Sequence, residues 1–74
     1  METFGERLKE LRTERGLSAK SLGKVLQIAD STIIRWENNK RGITNEYLVK
    51  LARYFDVSTD YLLGLEDEFG VKLR

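Results

Sequence analysis

The chain has 74 residues, 41% apolar and 34% charged, with a formal net charge of +1 and no proline, cysteine or histidine. This is one domain with a single small core, neither disordered nor disulfide-bridged, and it lacks the thiolates and imidazoles of common zinc sites and general bases. No apolar run is long enough to span a bilayer and the first residues carry no secretory pattern, so a cytoplasmic protein without cofactor, metal or membrane partner is expected.

Five short helices are expected, an all-α fold. The first opens at Thr3, with Glu6 at the spacing of a capping box. Phe4, Leu8 and Leu11 then recur at helical spacing, leaving Arg7, Lys9, Glu10 and Arg12 for the outer face. Gly16 suits a left-handed C-terminal cap. Ser18 caps a second helix with Leu22, Val25 and Leu26 inward. After a break at Gln27, Ile28 and Ala29, a third helix runs from about Asp30 to Asn38. Thr44 or Asn45 opens a fourth, with Leu48, Leu51, Ala52 and Phe55 inward. Ser58 caps a last helical turn through Tyr61, Leu62 and Leu63, stopped by Gly64. The domain is expected over residues 1–65, with 66–74 as a tail that forms a dimer contact or a linker. Leu65, Phe69, Val71 and Leu73 would permit a small apolar contact there, and a frayed terminus explains them equally well.

The stretch from Ser18 to Arg41 carries the functional signal. Two short helices three residues apart, followed by a basic loop, suit a helix-turn-helix. Gly23 supplies the small residue needed where the third helix passes close; it costs its own helix ~1 kcal/mol relative to alanine. On the third helix Ile33 and Trp36 share one side, and Ser31, Ile34, Arg35 and Asn38 the other. That outer face suits a major groove: Arg35 can bond guanine O6 and N7 together, Ser31 is tolerant, and Ile34 can meet a thymine methyl. An ordinary solvated face has a similar composition. In the loop Asn38-Asn39-Lys40-Arg41, an amide and two cations are placed to grip phosphates, or merely to cap the helix. Asn39 is of a type that accepts a positive φ at a helix end. Charge agrees: from Arg7 to Arg53 there are eleven Lys/Arg against five Asp/Glu. Such a basic body suits a polyanion, though chance clustering accounts for it too.

Three segments in order carry a resemblance. Leu8–Ser18 (LKELRTERGLS), Ser31–Lys40 (STIIRWENNK) and Leu48–Gly64 (LVKLARYFDVSTDYLLG) resemble the first helix, recognition helix and last two helices of the phage-repressor/Cro-like helix-turn-helix family. The resemblance implies a lambda-repressor-like five-helix domain with its second motif helix in the major groove, acting as a homodimer on an inverted-repeat DNA operator, most simply as a repressor. It implies base contacts by Asp30, Ser31 and Arg35, to which the outer-face reading adds Ile34; an acid at Asp30 can accept from cytosine N4. It implies phosphate contacts by Thr32 and Asn38, with Lys40 nearby, and a structural pair between Arg12 and Glu37; Arg12, Lys20 and Arg41 are expected from their charge to hold phosphates as well. Three positions differ from the family pattern. Ala19 replaces a phosphate-binding glutamine, leaving Lys20 and Lys24 to take that role. Gln27 stands where a glycine is usual, and Ala29 where a Ser/Thr cap is usual, so Asp30 or Ser31 is expected to cap instead. The rival reading is a protein-binding module of antitoxin or anti-repressor type; no catalytic constellation is present.

Overall fold

A computed structural model of the chain describes residues 2–67 and 69–72. It has five helices: α1 (Phe4–Glu14), α2 (Ala19–Leu26), α3 (Asp30–Glu37), α4 (Asn45–Phe55) and α5 (Thr59–Leu62). The helix ends follow local chemistry. Thr3 Oγ1 accepts from the Glu6 amide at 3.2 Å and the Glu6 carboxylate reaches back to the Thr3 amide at 3.4 Å, a complete capping box. Ser18 and Ser58 accept from the amides of Ser21 and Tyr61. Gly16 leaves α1 at φ +67°, where a Cβ would be strained.

All five helices contribute to one core of Leu8, Leu11, Leu22, Leu26, Ile33, Trp36, Leu51, Ala52, Phe55 and Leu62. Each buried leucine contributes about 1.5–3 kcal/mol relative to exposure, which is what holds helices of eight to eleven residues that would be marginal alone. α3 packs against both α1 and α2, so its orientation is set from two sides.

Three side chains depart from the side their spacing implied, among them Arg12, which its pair with Glu37 draws inward to 14% side-chain exposure. Val25 is 48% exposed rather than inward. The inner line of α2 is Leu22, Gly23 and Leu26, and Val25 falls on its flank. Arg7, expected outside, is 6% exposed. It lies on the same stripe as Phe4, Leu8 and Leu11, with the Glu2 carboxylate 3.9 Å from its Nε, which has no hydrogen-bond partner among the described residues. Its Nη1 donates to the carbonyls of Tyr61 (3.0 Å) and Glu66 (2.7 Å), and the guanidinium stands 4.2 Å over the Tyr61 ring.

The segment after α5 folds back on the domain. Besides the Arg7 bond to Glu66, Ser58 bonds the Glu66 carboxylate, Lys72 pairs with Asp60 and Glu66, and Glu66 and Lys72 form an isolated antiparallel bridge. Leu65, Phe69 and Val71 are exposed; Leu73 lies outside the described residues.

Candidate nucleic-acid interface

The turn between α2 and α3 is built from residues that each solve one local problem. Gln27 ends α2 in the left-handed region at φ 59°, and the Ile28 amide returns to the Gly23 carbonyl at 2.9 Å. A Cβ on Gly23 would stand 2.7 Å from the Ile28 carbonyl oxygen and 3.4 Å from the Asp30 nitrogen. Gly23 is therefore what lets the turn pass tightly into α3. The expectation of a cap from Asp30 or Ser31 does not hold. The N-cap is Ala29, which has no side-chain oxygen to offer, and α3 starts at Asp30 with no side-chain cap at all.

α3 is anchored by its inner face. Ile33 is fully buried and Trp36 2% exposed, with the Trp36 ring 5.7 Å from that of Tyr47. Glu37 is 9% exposed and takes a forked pair of bonds from Arg12: Nε to Oε2 at 2.6 Å and Nη2 to Oε1 at 2.9 Å. The third arm of the guanidinium, Nη1, donates to the Leu17 carbonyl at 2.8 Å. The Glu37 bond raises the Arg12 pKa above its ordinary value, burial working the other way. Arg12 thus ties α1, the α1–α2 loop and α3 together. Of the two roles expected for it, the structural one has the geometry; the phosphate role would need the same guanidinium turned outward.

The end of α3 is closed by a Schellman arrangement. The Asn39 amide donates to the Trp36 carbonyl at 3.1 Å and the Lys40 amide to the Arg35 carbonyl at 2.8 Å. Asn39 sits at φ 56°. Its side chain crosses to α1, accepting from the Gly5 amide at 3.2 Å and donating to Thr3 Oγ1 at 3.0 Å. Gly5 is in turn pressed against the end of α3: a Cβ there would stand 2.5 Å from both the Trp36 and Glu37 carbonyl oxygens. Sequence reasoning missed the Gly5 contact and the Asn39 strap. Asn39 was legible only as a residue tolerant of positive φ, and Gly5 gave no signal beyond a glycine inside a helix.

Outward of this frame lie Asp30, Ser31, Ile34, Arg35, Asn38, Lys40 and Arg41, all exposed, with Thr32 half-buried. Lys20 and Lys24 are exposed on α2. Among the described residues, no side-chain hydrogen bond or salt bridge engages Lys20, Lys24, Arg35, Lys40 or Arg41. By contrast Arg7, Arg12 and Arg15 are all consumed within the fold, Arg15 by the Phe55 carbonyl at 3.0 Å. Arg7, Arg12 and Arg15 on and beside α1 are therefore structural, whereas the cations of α2, α3 and the following loop are uncommitted, as are the exposed Lys9 of α1 and Arg53 of α4 among the described residues. Those of α2, α3 and the loop flank a helix face bearing one acid, one hydroxyl and one 45%-exposed isoleucine. Such a face can read base edges while its neighbours hold phosphates. Among the described residues no His/Cys/Asp/Glu cluster suits a metal ion, and no helix is long and apolar enough to cross a membrane.

Comparison with known proteins agrees with this geometry. Residues 8–62 match the family described as helix-turn-helix. The chain is 37% identical over 70 residues to the HTH-type transcriptional regulator ImmR of Bacillus subtilis (strain 168), covering 95% of this chain and 54% of ImmR. It thus spans about half the length of that relative. In structure it is similar to the P22 c2 repressor bound to a synthetic operator, with a TM-score of 0.80, 28% identity, and coverage of 85% of this chain and 96% of that one. It is also similar to the biofilm regulator SinR in complex with DNA, with a TM-score of 0.74, 31% identity, and coverage of 82% of this chain and 98% of that one. A chain of the SinR–SinI complex matches at a TM-score of 0.74 and 31% identity over 90% of this chain and 63% of its own length.

Proposed function

From the premise that this chain belongs to the phage-repressor-like helix-turn-helix family of transcriptional regulators, we propose that it reads a specific double-stranded DNA sequence as a homodimer on an inverted repeat and represses transcription there. The observation that carries the reading is the division of the cations: those on α2, α3 and the α3–α4 loop are exposed and uncommitted, while those of α1 that touch the core are bonded within the fold.

On this reading Arg35 bonds a guanine through O6 and N7, Ile34 meets a thymine methyl, Ser31 contacts a neighbouring base, and Asp30 accepts from a cytosine N4 amine. Lys20, Thr32, Asn38, Lys40 and Arg41 hold phosphates on either side of the groove. Arg12 is left to Glu37. The frame around α3 supports the assignment physically, because a helix held from two sides presents its outer face without a backbone ordering cost on binding. The working place of such a protein is the bacterial or phage-infected cytoplasm, at the nucleoid.

The test is a binding selection from a random duplex pool at one fixed moderate salt concentration, read by sequencing. Enrichment of an inverted repeat with half-sites about one helical turn apart supports a dimeric base-reading regulator. Arg35→Ala is then expected to weaken the selected site by ~1–3 kcal/mol and to relax one base position; unchanged discrimination refutes the role given to Arg35.

A second reading, a domain that docks a protein partner, is favoured by the exposed Ile34 beside the acid Asp30 and by the likeness to a chain of the SinR–SinI complex. Salt-insensitive passage through a heparin or DNA column would put it first.

A further inference from the structure

We propose that Asn39 is a positioning residue for phosphate binding, making the N-terminus of α1 the strut that fixes where Lys40 and Arg41 stand relative to Arg35. The inference rests on the DNA reading above and extends it to a residue with no groove-facing role of its own.

The argument begins with what Asn39 does beyond ending α3. A glycine would adopt φ 56° without cost and would close the same backbone bond to Trp36. The amide group adds two contacts that a glycine lacks, with Gly5 at 34 residues' separation and Thr3 at 36. Both partners belong to the capped first turn of α1. Thr3 is the N-cap, already bonded to Glu6, and the Gly5 amide is one of the orphan donors at that helix start. Gly5 also abuts the last carbonyls of α3, so the strap closes over a contact with no slack.

On the other side, the Lys40 amide is bonded to the Arg35 carbonyl. The path from α1 to the uncommitted cations is therefore continuous: Thr3 and Gly5 hold the Asn39 side chain, Asn39 fixes the backbone entering Lys40, and Lys40 is tied to Arg35. Lys40 and Arg41 are exposed and otherwise unheld among the described residues. Without the strap, the loop from Asn39 to Gly42 would keep its helix-end geometry but lose its anchor on α1. Its two cations would then be ordered only when they met phosphate, and binding would carry that ordering cost.

The experiment is a cycle in the full chain using Asn39→Gly, which preserves the positive φ and removes only the strap. Wild type, N39G, K40A/R41A and the triple variant are measured for affinity against a selected duplex and a random duplex over a range of salt concentrations, with thermal melts alongside. N39G is expected to melt within a few degrees of wild type and to lose about threefold to tenfold in affinity on both duplexes, with the salt slope unchanged because the same phosphates are still neutralised. In the K40A/R41A background the same change is expected to cost less than about twofold, since the residues it acts through are gone. An N39G chain that binds as wild type overturns the proposal. So does an equal loss in both backgrounds, which would place the effect in the fold or in a direct contact. A wild-type chain that retains neither duplex overturns the DNA reading itself, and that outcome is distinct from wild-type binding with a silent N39G.

Discussion

Replacing Glu37 with glutamine tests the structural frame under the recognition helix. The carboxylate takes two charge-assisted bonds from Arg12, at 2.6 and 2.9 Å, with side chains only 5% and 14% exposed. Glu37→Gln keeps the shape but leaves the guanidinium with the Leu17 carbonyl and at best one neutral oxygen. Breaking a buried pair costs about 3–5 kcal/mol; the residual exposure of Arg12 and its Leu17 bond reduce this to roughly 2–4 kcal/mol. A 74-residue domain has a total stability of about 4–11 kcal/mol, so the loss is a large fraction of it. At about 4–8 °C per kcal/mol, the melting temperature should fall by roughly 10–30 °C. Circular dichroism melts and urea titrations of E37Q, R12M and the double variant measure this. The double variant is expected to be less destabilised than the sum of the singles by at least about 1 kcal/mol. Additive effects, or an E37Q that melts as wild type while losing DNA, would refute the frame and move Glu37 to the DNA surface.

Gln27→Gly should stabilise the domain by up to about 1 kcal/mol, since φ 59° strains glutamine and not glycine; an unchanged urea midpoint would mean the turn relaxes that strain elsewhere. Gly5→Ala should destabilise by about 1–3 kcal/mol or more, because its methyl would meet two backbone carbonyls at 2.5 Å, and a neutral melt would mean that α1 can shift away from α3. Local desolvation, and then Glu2 and Glu14, hold the Glu10 carboxyl above its ordinary pKa. The folded state then binds that proton more tightly than the unfolded chain, so the penalty is full at neutral pH and disappears as pH falls through the carboxylate range. Glu10→Gln should therefore raise the melting temperature at pH 7 and have less effect near pH 4; equal effects at both would refute the assignment.

The start of each capped helix was legible because it depends on residues three apart: the Thr3–Glu6 box, Ser18 and Ser58 act within one turn. The outer face of α3 was legible for a similar reason, since Ile33 and Trp36 define the inner side by spacing alone. The pairing of Arg12 with Glu37 came from the family resemblance and not from any pattern in the chain itself. Val25 and Arg7 were misplaced because periodicity says which residues share a stripe, not how wide the neighbouring helix makes it. The net charge of +1 likewise hid the difference between cations spent on the fold and cations left free.

Local geometry alone determined where the capped helices α1, α2 and α5 begin, that Asn39 could take a positive φ, and which face of α3 is polar. Only the tertiary structure decided that Arg7 is buried over Tyr61, that Gly5 receives the end of α3, and that Asn39 straps that end to Thr3. Those contacts join residues 31 to 54 positions apart, and they exist only once the crossing of α1 with α3 and α5 has been set by the packing of the whole core.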